Sequence, residues 1–415
     1  MEYDKAEQTV REILADVKEN GDGALKKYSL QFDHAELSSL AVTETEIKAA
    51  LSKTDSRLLF TMRQAAENIR AFHRKQKREG FVMAEREGTI LGQRILPLDR
   101  VGLYIPGGTA SYPSTVLMNA IPAKIAGVKE IVMVTPPASD GSVAPPILAA
   151  AYIAGVDKVY KVGGAQAIAA LAYGTESIPR VDKITGPGNM YVATAKRQVY
   201  GLVDIDMVAG PSEILIIADD SADPFFVAAD LLSQAEHDPM AAAILLTTGE
   251  ELALAVQSEV SRQLYLLPRR VIAEKSILDH GRIVVVSSLQ EAAEWSNEVA
   301  PEHLELCVED PFALLARIRH AGSVFLGHYA PEALGDYFAG PNHTLPTNGT
   351  AKFASPLSVD DFIKKSSFVY YSREALREVR EEIEFFARNE GLDAHAKSVG
   401  MRFDFDEDGD EDGGE

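Results

Sequence analysis

Gln234 and His237 stand three residues apart at the end of GPSEILIIADDSADPFFVAADLLSQAEH, a strand-like run leading into an apolar-periodic helix. At that spacing they share one helix face and can reach one small object. An amide oxygen beside an imidazole is half of a metal site, although alone the pair also reads as a solvated helix end. Other pairings lie far away in the chain. In APEHLEL, Glu302 and His303 come directly before an apolar strand, where an adjacent acid and imidazole can serve as two separate general bases. The same motif also fits the polar start of a strand. In LGDYFAGPNHTLPT, Asp336 and His343 share a Gly/Pro-rich loop, and in RNEGLDAHAKS, Glu390 and His395 lie at a helix break marked by Gly391. A carboxylate, two imidazoles and an amide suit zinc or a similar divalent ion. Neither HExxH nor CxxC occurs, so zincin and zinc-ribbon readings have no support.

Three glycine-bearing turns form a second group: Tyr104-Ile-Pro-Gly-Gly108, Gly163-Gly-Ala-Gln166 and Gly186-Pro-Gly-Asn189. Each follows a strand-like segment, where ligands of open α/β sheets bind and close backbone approach needs glycine. Pro106-Gly107 alone would suit a tight reversal. Three such turns, two of them opening helices, point to a phosphate-bearing ligand. The dinucleotide fingerprint GxGxxG and the Walker P-loop are both missing.

The elements that must position these residues follow from the patterning. Helices are expected over Lys5–Asn20, Asp22–Gln31 and Asp55–Lys77, then a hairpin in GFVMAEREGTILGQRILPL. From Val101 strands alternate with Ala-rich helices: VGLYIP, EIVMVTPP, KVYKVG and KITGP, then SEILIIAD, AAAILLTTG, RIVVVSSL, HLELCVED and SVFLG. That grammar predicts an α/β fold with two Rossmann-like parallel-sheet domains lacking GxGxxG. The expected organisation is N-terminal helices and hairpin over 1–103, packing with 213–350; a first α/β domain over 104–212; and a second over 213–350. A helical C-terminal extension over 351–403 follows, and residues 404–415 read as a disordered acidic tail. The two α/β series also read as distant copies of each other.

With 415 residues, more than one core is expected. Net charge is -21, the wrong sign for wrapping phosphate backbones, so no nucleic-acid partner is expected. No apolar run is long enough for a membrane span, and no signal-peptide pattern opens the chain. The single Cys307 excludes an internal disulfide and fits a cytoplasmic location; it reads as a core strand residue. His34, His73 and His280 read as surface residues. The tail DFDEDGDEDGGE matches a calcium-loop pattern from Asp404 to Glu415, but Glu411 stands where an apolar residue normally packs, so a solubilising tail is the better account.

Taken together, GPSEILIIAD…LLSQAEH, GGAQAIAALAYGT, ITGPGNMYVATAKR, NEVAPEHLEL, GDYFAGPNHTLPT and EGLDAHAKSV closely resemble the histidinol dehydrogenase family, in order and over nearly the whole chain to Val399. Departures are an Asp after His237 where the family usually has Gly, the acidic tail, and a short start that implies a trimmed N-terminal arm. The resemblance implies a zinc ion held by Gln234, His237, Asp336 and His395, and NAD contacts from Tyr104, Gln166 and Asn189. It implies substrate contacts from Ser212, Glu302, His303, Asp336, Tyr337, His343, Glu390 and His395, besides the zinc ligands Gln234 and His237. It further implies a homodimer in which the dimer-swapped segment 351–403 brings Glu390 and His395 to the partner's site. The implied reaction is oxidation of L-histidinol through the aldehyde to L-histidine with two NAD, His303 serving as base and Glu302 activating water. Alternatives are a paralogous zinc/NAD dehydrogenase of another polar alcohol such as a sulfonated diol, a metal-dependent hydrolase using Glu302, and a non-catalytic metal-stabilised module. The glycine turns argue against the hydrolase, and the Glu–His pair has no role in the module.

Overall fold

The structure, a computed structural model, describes residues 2–107, 112–208 and 210–403. It divides into two compact units, Met1–Lys77 with Pro97–Phe362, and Arg78–Leu96 with Ile363–Glu415. The first holds two parallel five-stranded sheets. One contains β3 (Arg100–Tyr104), β4 (Glu130–Thr135), β5 (Lys158–Lys161), β6 (Lys183–Thr185) and β7 (Asp204–Ile205), in the order β5-β4-β3-β6-β7. The other contains β8 (Glu213–Ala218), β9 (Ala242–Thr247), β10 (Arg282–Val285), β11 (His303–Cys307) and β12 (Ser323–Leu326), in the order β10-β9-β8-β11-β12. Both sheets start in the middle, grow outward on one side and then cross to the other, so they share one topology. Nine of these ten strands match the segments picked out by patterning; the two-residue β7 is too short to show any.

Alternation on the central strands divides each sheet between two cores. Val132 and Val134 of β4 enter one cluster, Ile131 and Met133 the opposite one. On β8, Ile214 and Ile216 face one core while Leu215 and Ile217 face the other. Burial on both faces is what a near-continuous apolar run in a parallel sheet requires. Each such side chain contributes about 1.5–3 kcal/mol.

The N-terminal helices are α1 (Glu2–Tyr28), α2 (Glu44–Lys53) and α3 (Ser56–Arg74). The expected break between two helices is a kink inside α1, where Gly21 has φ 49°. Their expected packing against 213–350 is not what is observed. Val10, Ile13, Leu14 and Val17 of α1 share a core with α6 (Gly164–Tyr173) and α7 (Met190–Val199) of the first sheet. The cause lies in α6, whose residues Ala165 to Ala172 are all buried; a helix apolar all round needs cover on its outer face. Met62, Ala65 and Ile69 of α3 likewise join α4 (Pro113–Ala126) and α5 (Pro145–Ala154). Toward the second sheet α3 makes a narrower contact, Asn68 Nδ2 donating to the Phe338 carbonyl at 2.8 Å.

The second unit has a sheet of β1 (Phe81–Met83), β2 (Thr89–Pro97) and β13 (Ile363–Tyr371). The hairpin is as expected, with Phe81 opposite Gln93. A purely helical region beyond Ala351 is not: Ile363–Tyr371 is a strand, and its run Phe368-Val-Tyr-Tyr371 favours a pleated surface over a helix. The helices Arg373–Glu378, Arg380–Asn389 and Asp393–Gly400 follow. The acidic tail and its calcium-like pattern lie outside the described residues. Among the described residues no helix is long and apolar enough to cross a membrane.

Candidate active site

The register of the second sheet builds an acid–base pair. His303 opens β11 opposite Ile214 of β8, which sets Glu302 beside Glu213 at the amino ends of both strands. Glu302 Oε2 accepts the Glu213 backbone N–H at 3.0 Å and lies 3.7 Å from His303 Nδ1, which is 3.3 Å from the Glu213 carbonyl. Both side chains are buried. Burial pushes the Glu302 carboxyl up to about 7, against the pull of His303. Burial alone would lower the His303 imidazole, but Glu332, Glu302 and Asp336 outweigh it and raise it to about 10. His303 Nε2 is buried with no hydrogen-bond partner, and Asp336 Oδ1 stands 3.6 Å away.

Two further segments converge on this pair. The first is α8 (Pro224–Ala235). Pro224 occupies its first turn, and Asp223 caps it by accepting from Phe225 N–H. Val227, Ala228, Leu231 and Leu232 bury its apolar stripe, which aims its last turn at the strand starts. Gln234 there is buried, and its amide nitrogen, oriented to satisfy its neighbours, donates to Glu332 Oε2 at 2.9 Å and lies 3.1 Å from His303 Nδ1. His237 lies just past the helix, its N–H bonded to the Gln234 carbonyl. The residue is exposed overall, yet its ring is sufficiently desolvated that burial lowers its pKa.

The second segment is a short helix, Glu332–Leu334, running into a π-helical turn, Gly335–Ala339. Asp336 therefore sits on a helical turn and not in the loop expected for it; such π-turns often mark functional sites. Burial would raise the Asp336 carboxyl, but His303, His343 and His237 hold it below its usual range. His343 Nδ1 donates to the Asp336 carbonyl at 3.0 Å.

Donor atoms of His237, Glu332 and Asp336 lie within 4.8 Å of one another. Nitrogen and oxygen donors suit zinc, and the end of α8 carries a helix's negative pole. Three carboxylates around one imidazole leave an excess of buried negative charge that a divalent cation offsets. The same excess is what raises the His303 imidazole, so a cation among these donors would bring that base back toward its neutral form. Glu332 was not among the expected residues. Its signal was present four residues before Asp336, on the same helical face. Buried carboxylates and desolvation raise it to about 8, desolvation leading, with His303 opposing.

Ser212 directly precedes Glu213 and β8, with its carbonyl bonded to Ala242 N–H. Tyr337 is exposed on the π-turn, next to Asp336. Glu390 and His395 belong to the second unit, where both are exposed, Glu390 ending one helix and His395 lying in the next. The sequence also concealed a support: His73, expected at the surface, is fully buried. Its Nδ1 bonds the Ile69 carbonyl at 2.9 Å and its Nε2 faces Asn342 Nδ2, which in turn holds the Met118 carbonyl. That chain fixes the residue beside His343. Cys307 is buried with its thiol pushed well up by burial, as a core residue should be.

The first sheet forms a separate cleft of about 970 Å³ that brings together Tyr104, Gln166 and Asn189. Tyr104 ends β3 and its hydroxyl accepts the Gly164 N–H at 3.0 Å. Gln166 is 1% exposed, yet neither end of its amide has a partner. Asn189 caps α7 with its Oδ1, leaving its amide nitrogen for a ligand. The turn before it is clamped: Asp206 accepts the Gly186 N–H at 2.7 Å, Lys196 donates to the Gly186 carbonyl at 3.1 Å, and Lys196 and Asp206 pair with each other in the interior. Gly186 has φ +115°, and a Cβ there would strike the Tyr104 carbonyl, so only glycine fits. Gly108 lies outside the described residues.

A parallel α/β fold with a cleft at one sheet's carboxyl ends and a buried acid–base pair in the other suits a dehydrogenase. The sequence profile described as histidinol dehydrogenase matches residues 1–403. The chain is similar to the histidinol dehydrogenase of Listeria monocytogenes, 56% identical over 400 residues, 96% of this chain and 93% of that one. It is also similar to that of Geobacillus kaustophilus, 58% identical over 397 residues, 96% and 94% of the two chains. In fold it is similar to the crystal structure of histidinol dehydrogenase from Elizabethkingia anophelis, 43% identical, TM-score 0.91, covering 95% of this chain and 92% of that one. The chain therefore belongs to the histidinol dehydrogenase family and is an oxidoreductase of histidine biosynthesis.

Proposed function

We propose that the protein oxidises L-histidinol through L-histidinal to L-histidine, a four-electron reaction that consumes two NAD and one water and yields two NADH and three protons. The observation that carries this reading is the Glu302–His303 pair held against the donors of His237, Glu332 and Asp336. NAD, when bound, would accept the hydrides, and His237, Asp336, Gln234 and Glu332 would hold a zinc-type cation that would anchor the substrate's imidazole and amine. The remaining work falls to side chains. His303 Nε2, the nitrogen without a partner, takes the hydroxyl proton in the first oxidation and that of the hydrated aldehyde in the second. Glu302, poised near 7 and held through Oε2 by the Glu213 N–H, takes a proton from the water that hydrates the aldehyde. His343, with Nδ1 committed to the Asp336 carbonyl, offers Nε2 to the substrate. Ser212 and Tyr337 complete the substrate contacts, and Tyr104, Gln166 and Asn189 bind NAD. Zinc normally takes nitrogen from more than one residue, and this supports His395 as a further ligand, with Glu390 beside it, given by a partner copy in a homodimer.

The test separates the half-reactions. Glu302→Gln is expected to slow oxidation of L-histidinal by roughly 10²–10⁴-fold while changing oxidation of L-histidinol much less. Equal losses in both steps remove Glu302 from the water-activating role. For the dimer, two inactive variants, His237→Ala and His395→Ala, are mixed after dissociation. Recovery of roughly a quarter of wild-type activity is expected if sites are shared, and none if each copy is self-contained.

A further inference from the structure

Among the described residues, Asp33 is the one acidic side chain lining the cleft of the first sheet. It ends a π-helical turn, Ser29–Asp33, that follows α1, and the next residue, His34, turns the chain with φ 57°. Its Oδ2 is buried without a hydrogen-bond partner. Burial raises the carboxyl to about 6, and its charge adds to the burial that pushes up the Tyr104 hydroxyl. An unpaired carboxylate oxygen and an unpaired Gln166 amide thus open into the same cavity. Buried polar groups left in this way are what a ligand is shaped to satisfy.

The carboxylate's sign restricts the ligand part that it can meet. Pyrophosphate belongs at the opening turns of α6 and α7, where backbone N–H groups and the positive helix poles collect, and cannot lie against Asp33. A carboxylate needs donors, and the vicinal hydroxyls of a ribose supply two. The cleft is also lined by the apolar side chains of Ile13, Phe32, Pro136, Val143 and Ile147, which suit a flat base. No lining residue comes from the second sheet, where the Glu302–His303 pair lies, so the nicotinamide end has to leave this part of the cleft.

We propose that Asp33 is the specificity-determining residue of the nucleotide cleft, accepting the 2′- and 3′-hydroxyls of the adenosine ribose and excluding a 2′-phosphate. The inference rests on the reading of this cleft as the NAD site. Hydrogen bonds to a charged group favour the diol, and charge repulsion together with loss of the hydroxyl donor disfavours NADP. The segment that carries Asp33 precedes the first strand and has no dinucleotide fingerprint, which is why the sequence pattern did not reveal it.

The experiment is calorimetric titration of the metal-loaded full chain with ADP-ribose and with its 2′-phosphate analogue, without turnover. Wild-type protein is expected to bind ADP-ribose at least about 100-fold more tightly than the analogue. Asp33→Asn is expected to lose roughly 10–100-fold in ADP-ribose affinity and to bring the preference below about tenfold. Gln166→Leu serves as the control for the cleft. If Gln166→Leu weakens ADP-ribose but Asp33→Asn keeps both affinity and preference, the Asp33 assignment is overturned and the cleft stands. If Gln166→Leu and Asp33→Asn both leave ADP-ribose binding at the wild-type value, the cleft itself is not the nucleotide site and both readings fall.

Discussion

The two sheets share one strand order and use opposite ends of it. In the first, Tyr104, Gly163 and Gly186 stand at or beyond the carboxyl ends of β3, β5 and β6, where α6 and α7 begin. In the second, Glu213, Glu302 and His303 stand at the amino ends of β8 and β11, where α8 finishes. Helix starts carry positive partial charge and helix ends negative. The first sheet therefore offers its ligand amide N–H groups and suits pyrophosphate, and the second gathers carboxylates and imidazoles and suits a cation and a cationic substrate. A single topology, read from opposite ends, supplies sites of opposite charge preference. The usual rule that α/β sheets bind at the carboxyl ends of their strands holds for one sheet only.

Variants that strike one sheet should spare the other. The largest effect is expected from His303→Asn, which should lower both oxidations by about 10³-fold or more. Its ADP-ribose affinity should stay within about twofold of wild type, because distant sites act independently. Coupled loss of both properties breaks the separation. Next comes Lys196→Met, which strands Asp206 in the interior and frees the Gly186 carbonyl. Denaturant melts should show a loss of about 3–5 kcal/mol, with metal content unchanged in the folded protein. A variant as stable as wild type removes the ion pair as the clamp. Glu332→Gln should weaken metal binding about 10–100-fold by competition with a chelator, leaving the first sheet's cleft intact. Unaltered affinity returns Glu332 to a purely structural place.

Much of this division could be read from the chain. The strands of both sheets, the three glycine turns and the Glu302–His303 and Gln234–His237 pairs all announce themselves through local spacing. What stayed hidden depends on packing between distant segments. Glu332 looked like one acid among many because its partner His303 is nearly thirty residues upstream and meets it only through the sheet. His73 looked solvated because nothing local reveals that α3 is covered by α4 and by the turn that carries Asn342. Which sheet the N-terminal helices cover is not legible locally, because their stripe fixes how much they bury, not against what. Ile363–Tyr371 was read as helix since its lysines and serines interrupt any apolar period, and only pairing in the second unit's sheet makes it a strand.

The smallest expected effect concerns the cost of keeping Asp33 in its cleft. Its folded value of about 6 is above its ordinary 3.8, because burial disfavours the charge. The folded state thus holds this proton more tightly than the unfolded state does. The destabilisation is absent below 3.8 and grows to its full size as pH rises through about 6. Asp33→Asn should therefore be the more stable protein at pH 8, by on the order of 1 kcal/mol after allowance for solvent screening at this partly exposed group, and the gain should vanish toward pH 4. A pH-independent difference points to an effect other than this ionisation.

In the proposed reaction one site oxidises the same carbon twice, and the aldehyde stays bound between the two steps. This is tested most directly by the NADH formed when L-histidinol is limiting and NAD is in excess. The expected yield is about two NADH per L-histidinol, with no aldehyde captured by an added trapping reagent. A yield of about one, or aldehyde found in the trap at a matching amount, would contradict it.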